Sequence, residues 1–152
     1  MDYLPSLLTS PSLPLLFMLS FLAATILPIG SEWLLIVMVL QKFAVPDVVF
    51  TATLGNFLGA CSTYLLGMLG ANYIIRTILR INDAQLLRAE KMYAQYGTWS
   101  LLLSWLPVLG DPLCLVAGVF KTSFIRFSVL VFVGKFFRYA ILALLTLQGT
   151  GG

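Results

Sequence analysis

Four ionisable side chains fall inside otherwise apolar stretches of this sequence, namely Glu32, Asp111, Lys135 and Arg138. A lone charge at the centre of a bilayer costs about 2.5 to 3.5 kcal/mol on insertion scales, so we expect these groups to meet one another or water. Lys135 and Arg138 are three residues apart and share a face if the segment is helical. Together they present two cationic donors that suit a phosphate group.

The two carboxylates each lie where a short apolar helix is expected to begin, with Ser31 before Glu32 and Pro112 after Asp111. Free amides and the helix dipole favour an anion at such a position. Desolvation acts in the opposite direction and raises the proton affinity of a carboxyl group. The pattern therefore predicts that protonation of Glu32 or Asp111 is coupled to phosphate binding. The alternative is a buried salt-bridge network that only fixes the structure.

The segments that carry these charges are long apolar blocks. The chain is 60% hydrophobic and 10% charged, with a mean hydropathy of +0.99, which predicts an all-α integral membrane protein. About 20 helical residues cross the hydrocarbon core, and segments 46–70 and 123–148 satisfy this length. We predict one full transmembrane helix in each.

Two further apolar blocks are interrupted by helix-breaking residues. Pro28 and Gly30 break the first, and Pro107 and Gly110 break the second. The apolar run that follows each break is too short to cross a membrane alone. We predict two re-entrant helical hairpins, whose irregular backbone must be buried in protein or line a wet cavity.

The two halves of the chain also resemble each other. A constant shift in residue number, here called the repeat shift, aligns Pro28 of the first half with Pro107 of the second. The same shift aligns four further pairs: Glu32 with Asp111, Lys42 with Lys121, Gly55 with Gly134, and Asn56 with Lys135. We predict a single membrane domain over 1–152, with repeats over about 13–70 and 98–148 joined by 71–97. Paired, interrupted segments are typical of transporters with a site at the breaks. Asn56 is therefore a candidate site residue, although a hydrogen bond between helices is the alternative.

The connecting segment 71–97 is the most polar part of the chain. Asn82 or Asp83 can cap a helix that ends at Gly97, which predicts an amphipathic helix along the headgroups. The distribution of Lys and Arg places this segment in the cytoplasm and both termini outside.

Small residues recur on one face of segment 46–70, at Gly55, Gly59, Thr63 and Gly67. A stripe of this kind lets a neighbouring helix approach closely. We interpret it as a packing surface.

Several functions are disfavoured by what the sequence lacks. It has no His, which excludes a His-based triad or a metal-histidine site, and no Gly-rich phosphate loop follows a strand. Its basic residues are scattered, which argues against nucleic acid. We predict no catalytic residues, no metal and no cofactor, and a protein that is not an enzyme.

Three stretches are similar to motifs of a known family. They are Leu27-Pro28-Ile29-Gly30-Ser31-Glu32, Gly55-Asn56-Phe57-Leu58-Gly59, and Ala89-Glu90-Lys91-Met92-Tyr93-Ala94-Gln95-Tyr96-Gly97 leading into Ser104-Trp105-Leu106-Pro107. In order and spacing they resemble the DedA family, also called the VTT or SNARE-associated Golgi protein family, and in particular its short YqaA-type branch.

This resemblance implies two facing re-entrant hairpins and proton-coupled handling of lipids. In that family, bacterial members are linked to recycling of polyprenyl phosphate and eukaryotic relatives to phospholipid scrambling. Glu32 matches the family's key carboxylate. Ser104 and Gly110 stand where two family arginines are expected. We infer that Asp111, Lys135 and Arg138 replace those charges.

Taken with this resemblance, the sequence predicts a multi-pass protein of a bacterial inner membrane that translocates an anionic lipid, such as a polyprenyl phosphate or a phospholipid. Its predicted partners are membrane lipids, and its small size is compatible with a homodimer. The alternative function is a non-transporting protein that supports membrane or envelope homeostasis, in which the buried charges are structural.

Overall fold

The computed structural model of the chain describes residues 11–25, 31–73, 93–105 and 110–150, together with residues 84, 87 and 91. Every regular element among these residues is helical. The α-helices are α1 (Leu13–Thr25), α2 (Ser31–Leu40), α3 (Val45–Tyr73), α4 (Thr98–Ser100), α5 (Gly110–Val119) and α6 (Phe124–Thr150). A π-helical turn, Tyr93–Gly97, precedes α4, and a 3-10 helix, Leu101–Trp105, follows it. The predicted breaks at Pro28, Gly30 and Pro107 lie outside the described residues.

The two long helices coincide with the two segments that the sequence predicts as membrane spans. Val45–Gly70 within α3 and Phe124–Gly149 within α6 are each 26 residues long and apolar enough to cross a bilayer. A helix of that length extends about 39 Å, which exceeds the roughly 30 Å hydrocarbon core. Pro46 and Asp47 lie in the first turn of α3. A backbone N–H at position 46 would have no acceptor within the helix, so the proline there costs no helical hydrogen bond. The negative charge of Asp47 interacts favourably with the positive end of the helix dipole.

Helices α2 and α5 are much shorter than the spans. Each has 10 residues, or about 15 Å, and therefore cannot cross the hydrocarbon core alone. Helix α1 packs against α2, and the 3-10 helix Leu101–Trp105 packs against α5. Each short helix is thus paired with the helical segment that precedes it in the chain.

The C-terminal ends of α2 and α5 have the same backbone geometry. Lys42 (φ 64°) and Lys121 (φ 50°) both adopt the left-handed conformation. The amide of Phe43 donates to the carbonyl of Met38 (3.1 Å), and that of Thr122 donates to Ala117 (3.0 Å). These contacts define a Schellman motif at each end. The repeat shift carries the bounds of α2 onto those of α5 and the start of α3 onto the start of α6.

The chain divides into two compact units, the first formed by Met1–Gly59 and Lys135–Gly152. The core of the first unit contains buried side chains from α1, α2, α3 and α6: Leu16, Leu34, Leu35, Met38, Val39, Val48, Val49, Ala52, Tyr139 and Ala143. Helix α1 lies directly against the small face of α3. A Cβ at Gly55 would lie 2.5 Å from the carbonyl oxygen of Phe17, and one at Gly59 would lie 2.5 Å from that of Phe21. The predicted packing role of these two glycines is confirmed.

The second unit, Ala60–Gly134, is centred on Tyr64. Its ring packs against Phe127 with a centroid distance of 4.5 Å, and its hydroxyl donates to the carbonyl of Thr122 at 2.5 Å. Gly67 meets the backbone of Leu115 so closely that a Cβ would collide with the Leu115 carbonyl. The aromatic packing of Tyr64 and the backbone contact of Gly67 hold α3 against α6 and α5, respectively, within this unit.

The central polar segment departs from the prediction at its C-terminal end. Gly97 has φ −71° and ψ −28°, which is ordinary right-handed helix, and α4 continues directly from it. The predicted helix stop at Gly97 is therefore wrong, because this glycine does not take the left-handed conformation that ends a helix. Most of the predicted amphipathic helix, including Asn82 and Asp83, lies outside the described residues.

Candidate functional site

Two mid-membrane side chains meet in the first unit. Lys135 and Asn56 each lie eleven residues into their helices, about 16 Å along the axis. Lys135 is only 2% exposed and Asn56 only 5%. The Lys135 ammonium donates to the Asn56 side-chain oxygen. The Asn56 side chain thus accepts a hydrogen bond from a cation near the middle of the span, where the free-energy cost of a charge in lipid is highest.

The second cation of α6 is paired with an acid. The guanidinium of Arg138 forms a salt bridge with the carboxylate of Glu32, in the first turn of α2. The Glu32 side chain remains 40% exposed, whereas that of Arg138 is 19% exposed. The carboxylate is therefore the more accessible partner, and its position in the first helical turn also complements the α2 dipole.

The Tyr139 hydroxyl links the Lys135 and Asn56 pair to Ser31, the neighbour of Glu32 in the chain. It receives a hydrogen bond from the Asn56 side-chain amide at 2.9 Å and lies 3.0 Å from the Ser31 hydroxyl. Ser31 is the first residue of α2 and precedes Glu32. A continuous series of contacts therefore runs from Lys135 through Asn56 and Tyr139 to Ser31. We call these four residues with Glu32 and Arg138 the polar cluster.

The structure brings together four of the five predicted substrate and proton residues. Glu32, Asn56, Lys135 and Arg138 all belong to the polar cluster. The alternative prediction for Asn56, a hydrogen bond to another helix, is confirmed. The fifth residue, Asp111, lies in the first turn of α5, but its side chain is outside the described residues.

Gly110 shows why the second half lacks an arginine at that position. It is buried at the start of α5, and a Cβ there would lie 3.0 Å from the carbonyl carbon of Ser104 and closer still to its oxygen. Any side chain at position 110 would force the Ser104 backbone to move. This backbone contact demands glycine.

Tyr139 and Ser31 also belong to the polar cluster, but the positions of charged residues in the sequence did not predict them as site residues. Tyr139 follows Lys135 by four residues, so the two share a helix face. That spacing is the signal that could have identified the tyrosine. Ser31 was predicted only as a residue preceding a short helix, and its contact with α6 depends on tertiary structure.

The arrangement of the polar cluster would allow an incoming anion to compete for its two cations. In the described arrangement Arg138 binds Glu32, and Lys135 binds Asn56. A phosphate entering the cluster would compete with the Glu32 carboxylate for Arg138, because both are anionic acceptors of guanidinium hydrogen bonds. Protonation of Glu32 would neutralise its charge and weaken its hold on Arg138.

Comparison with known proteins places this site in a family. The model of the VTT domain matches residues 10–148, which include every member of the polar cluster. The chain belongs to the VTT domain (DedA) family. The resemblance seen in the sequence is confirmed, and the two span-length helices agree with membership of a family of membrane proteins.

Individual relatives also match most of the chain. The inner membrane protein YqaA of Escherichia coli is 40% identical over 135 residues, covering 88% of this chain and 90% of the relative. An uncharacterized protein of Haemophilus influenzae is 36% identical over 148 residues, covering 89% of this chain and 87% of the relative. No solved structure gives a significant match.

Proposed function

We propose that this VTT domain protein translocates an anionic lipid across the membrane, with its phosphate bound at the polar cluster and its movement coupled to a proton. The observation that carries the proposal is the placement of two cations, Lys135 and Arg138, at mid-span on one helix. Burying them costs free energy that a purely structural helix avoids with apolar residues.

Glu32 acts as the proton-binding group in this proposal. While ionised, it occupies Arg138 and excludes a second anion. When a proton neutralises it, Arg138 becomes available to the lipid phosphate, and deprotonation returns the salt bridge and expels the headgroup. The 40% exposure of the Glu32 side chain leaves this carboxylate accessible from outside the protein, as proton exchange requires.

We also infer that the two halves are an internal repeat of re-entrant hairpins. The matching bounds of α2 and α5, and the matching left-handed residues Lys42 and Lys121, support a common origin of the segments that the repeat shift aligns. The short length of α2 and α5 supports hairpins, since neither helix reaches across a bilayer. In this arrangement Asp111 is the counterpart of Glu32.

The membrane in question is the bacterial inner membrane. The Escherichia coli relative carries that location in its name, and its 40% identity over most of both chains supports the transfer. The predicted orientation places segment 71–97 in the cytoplasm and the termini outside.

A structural role for the polar cluster is the second candidate. It is favoured by the fact that Arg138 and Lys135 both have partners within the described protein. In that case the protein supports membrane or envelope homeostasis without moving lipid.

Reconstituted vesicles distinguish the two candidates. We expect purified protein to accelerate movement of a fluorescent anionic lipid between leaflets, and Glu32→Gln and Lys135→Gln to reduce this rate at least tenfold. Lys42→Gln is the matched control, since Lys42 is an exposed lysine just beyond the end of α2 that is opposite to Ser31 and Glu32. Folded Glu32→Gln and Lys135→Gln proteins with the rate of the Lys42→Gln control would contradict the proposal.

A further inference from the structure

An open groove of about 400 Å³ lies within the second unit, between α4 and the first two turns of α6. Its lining consists of Thr98, Trp99, Ile125, Arg126, Val129 and Leu130. Trp99 is 69% exposed and Ile125 is 76% exposed, so the apolar walls are open to the surroundings. We call this feature the Trp99 groove.

The polar and apolar parts of the Trp99 groove lie along α6 in the same order as the headgroup and acyl-chain layers of a bilayer. Arg126 lies in the first turn of this membrane-spanning helix, and Val129 and Leu130 lie about one turn deeper. The end of a span reaches the headgroups, where Trp is enriched, while the next turn meets acyl chains. The groove therefore has its cation at headgroup level and its apolar walls beneath.

We propose that the Trp99 groove binds an anionic phospholipid of the surrounding bilayer. Its phosphate meets the Arg126 guanidinium, and one acyl chain lies along Trp99, Val129 and Leu130. Basic pockets beside transmembrane helices on the cytoplasmic side recognise anionic headgroups in this way. Lys121, exposed five residues before Arg126, adds positive charge at the same end of the helix. This site shares no residue with the polar cluster, and lipid binding there does not depend on transport.

A second groove supplies an internal contrast. In the first unit, an open groove of about 630 Å³ includes Pro46, Asp47 and Phe50 at the start of α3 in its lining. The repeat shift aligns these positions with Ile125, Arg126 and Val129. A carboxylate therefore stands where the Trp99 groove has a guanidinium. It repels an anionic headgroup, so we expect preference for anionic lipid only at Arg126.

Trp99 is a built-in probe for this proposal. In a Trp33→Phe, Trp105→Phe background it is the sole tryptophan, and brominated lipids quench its fluorescence on contact. We expect brominated phosphatidylglycerol to associate about fivefold more strongly than brominated phosphatidylcholine, the ratio that one interfacial cation supports. Arg126→Gln should remove this preference, and Asp47→Asn should leave it intact. Equal quenching by the two lipids with Arg126 in place would overturn the proposal.

Native mass spectrometry of the unaltered chain provides a second measurement if the tryptophan variants do not fold. We expect phosphatidylglycerol to be retained in preference to phosphatidylcholine, with the preference reduced in Arg126→Gln and kept in Asp47→Asn, since neither substitution alters the polar cluster. A preference unchanged by Arg126→Gln would contradict the assignment. Trp99 shielded from both brominated lipids, together with the mass of a dimer, would assign the groove to a second copy of the chain and also overturn the proposal.

Discussion

Tyr139 is the residue at which the hydrogen bonds of the polar cluster converge. Its charged neighbours could be predicted because an ionisable group within an apolar block must find a partner. The tyrosine could not, because a Tyr in a membrane helix is equally compatible with packing or with an interfacial anchor. Only the contact between Ser31, Asn56 and the hydroxyl distinguishes these roles.

We expect Tyr139→Phe to lower the free energy of unfolding by about 1 to 3 kcal/mol, since it leaves the buried Ser31 and Asn56 groups without their shared partner. It should also slow lipid movement by misplacing Asn56 and hence Lys135. Thermal unfolding in detergent and vesicle flux measure the two effects. Tyr73→Phe is the control, because Tyr73 is 67% exposed. Identical behaviour of both variants would show that the Tyr139 hydroxyl contributes nothing.

Replacing the Lys135 and Asn56 pair by apolar residues separates stability from function. Substituting both members of a buried polar pair with well-packed apolar groups is often neutral or stabilising by about 1 to 4 kcal/mol. We therefore expect Asn56→Leu with Lys135→Met to keep or raise the melting temperature while abolishing lipid movement. A double variant that no longer folds would favour the structural role of the cluster instead.

Helices α3 and α6 illustrate what segment patterns can predict. Their bounds follow from the length of apolar sequence, and the start of α2 and α5 follows from Pro, Gly and a carboxylate. The left-handed ends at Lys42 and Lys121 could not be predicted, because lysine carries no preference for that conformation. The continuation of helix through Gly97 was missed because the conformation of a glycine depends on its neighbours.

The close approach of α1 to α3 makes Gly59 sensitive to a single methyl group. A Cβ there would lie 2.7 Å from the Cβ of Ala24, in addition to its contact with the Phe21 carbonyl. We expect Gly59→Ala to destabilise the protein by about 1 to 3 kcal/mol through overpacking. Gly149→Ala, where nothing lies within 4 Å, should be neutral or slightly stabilising. Equal melting temperatures in detergent would show that the two helices separate easily.

Membrane insertion of the whole chain follows from composition, but its orientation rests on few charges. The predicted excess of Lys and Arg on one side comes mainly from segment 71–97 and from Lys121 and Arg126. The apolar composition that predicts membrane insertion is evident from the sequence alone. Other features of the molecule could not be predicted in this way. The acid that pairs with Arg138 could not be predicted, because neither periodicity nor charge counting determines which side chains meet across separate segments.

Reporter fusions test the predicted orientation. We expect alkaline phosphatase fused after Gly152 to be active and green fluorescent protein at the same point to be dark, since the C-terminus is predicted to face outward. A fluorescent protein inserted after Ala84 should be bright, because segment 71–97 is predicted to be cytoplasmic. The reverse pattern would place both termini inside and invert the direction of any transport.

The central claim is that a proton on Glu32 and a phosphate on Arg138 are coupled. Its most direct test is the transport of an anionic lipid by vesicles with and without an imposed pH gradient. The account predicts that the gradient accelerates transport by the unaltered protein and has no effect on Glu32→Gln, whose side chain cannot ionise. Transport that ignores the gradient in both proteins, or that responds equally in both, would contradict it.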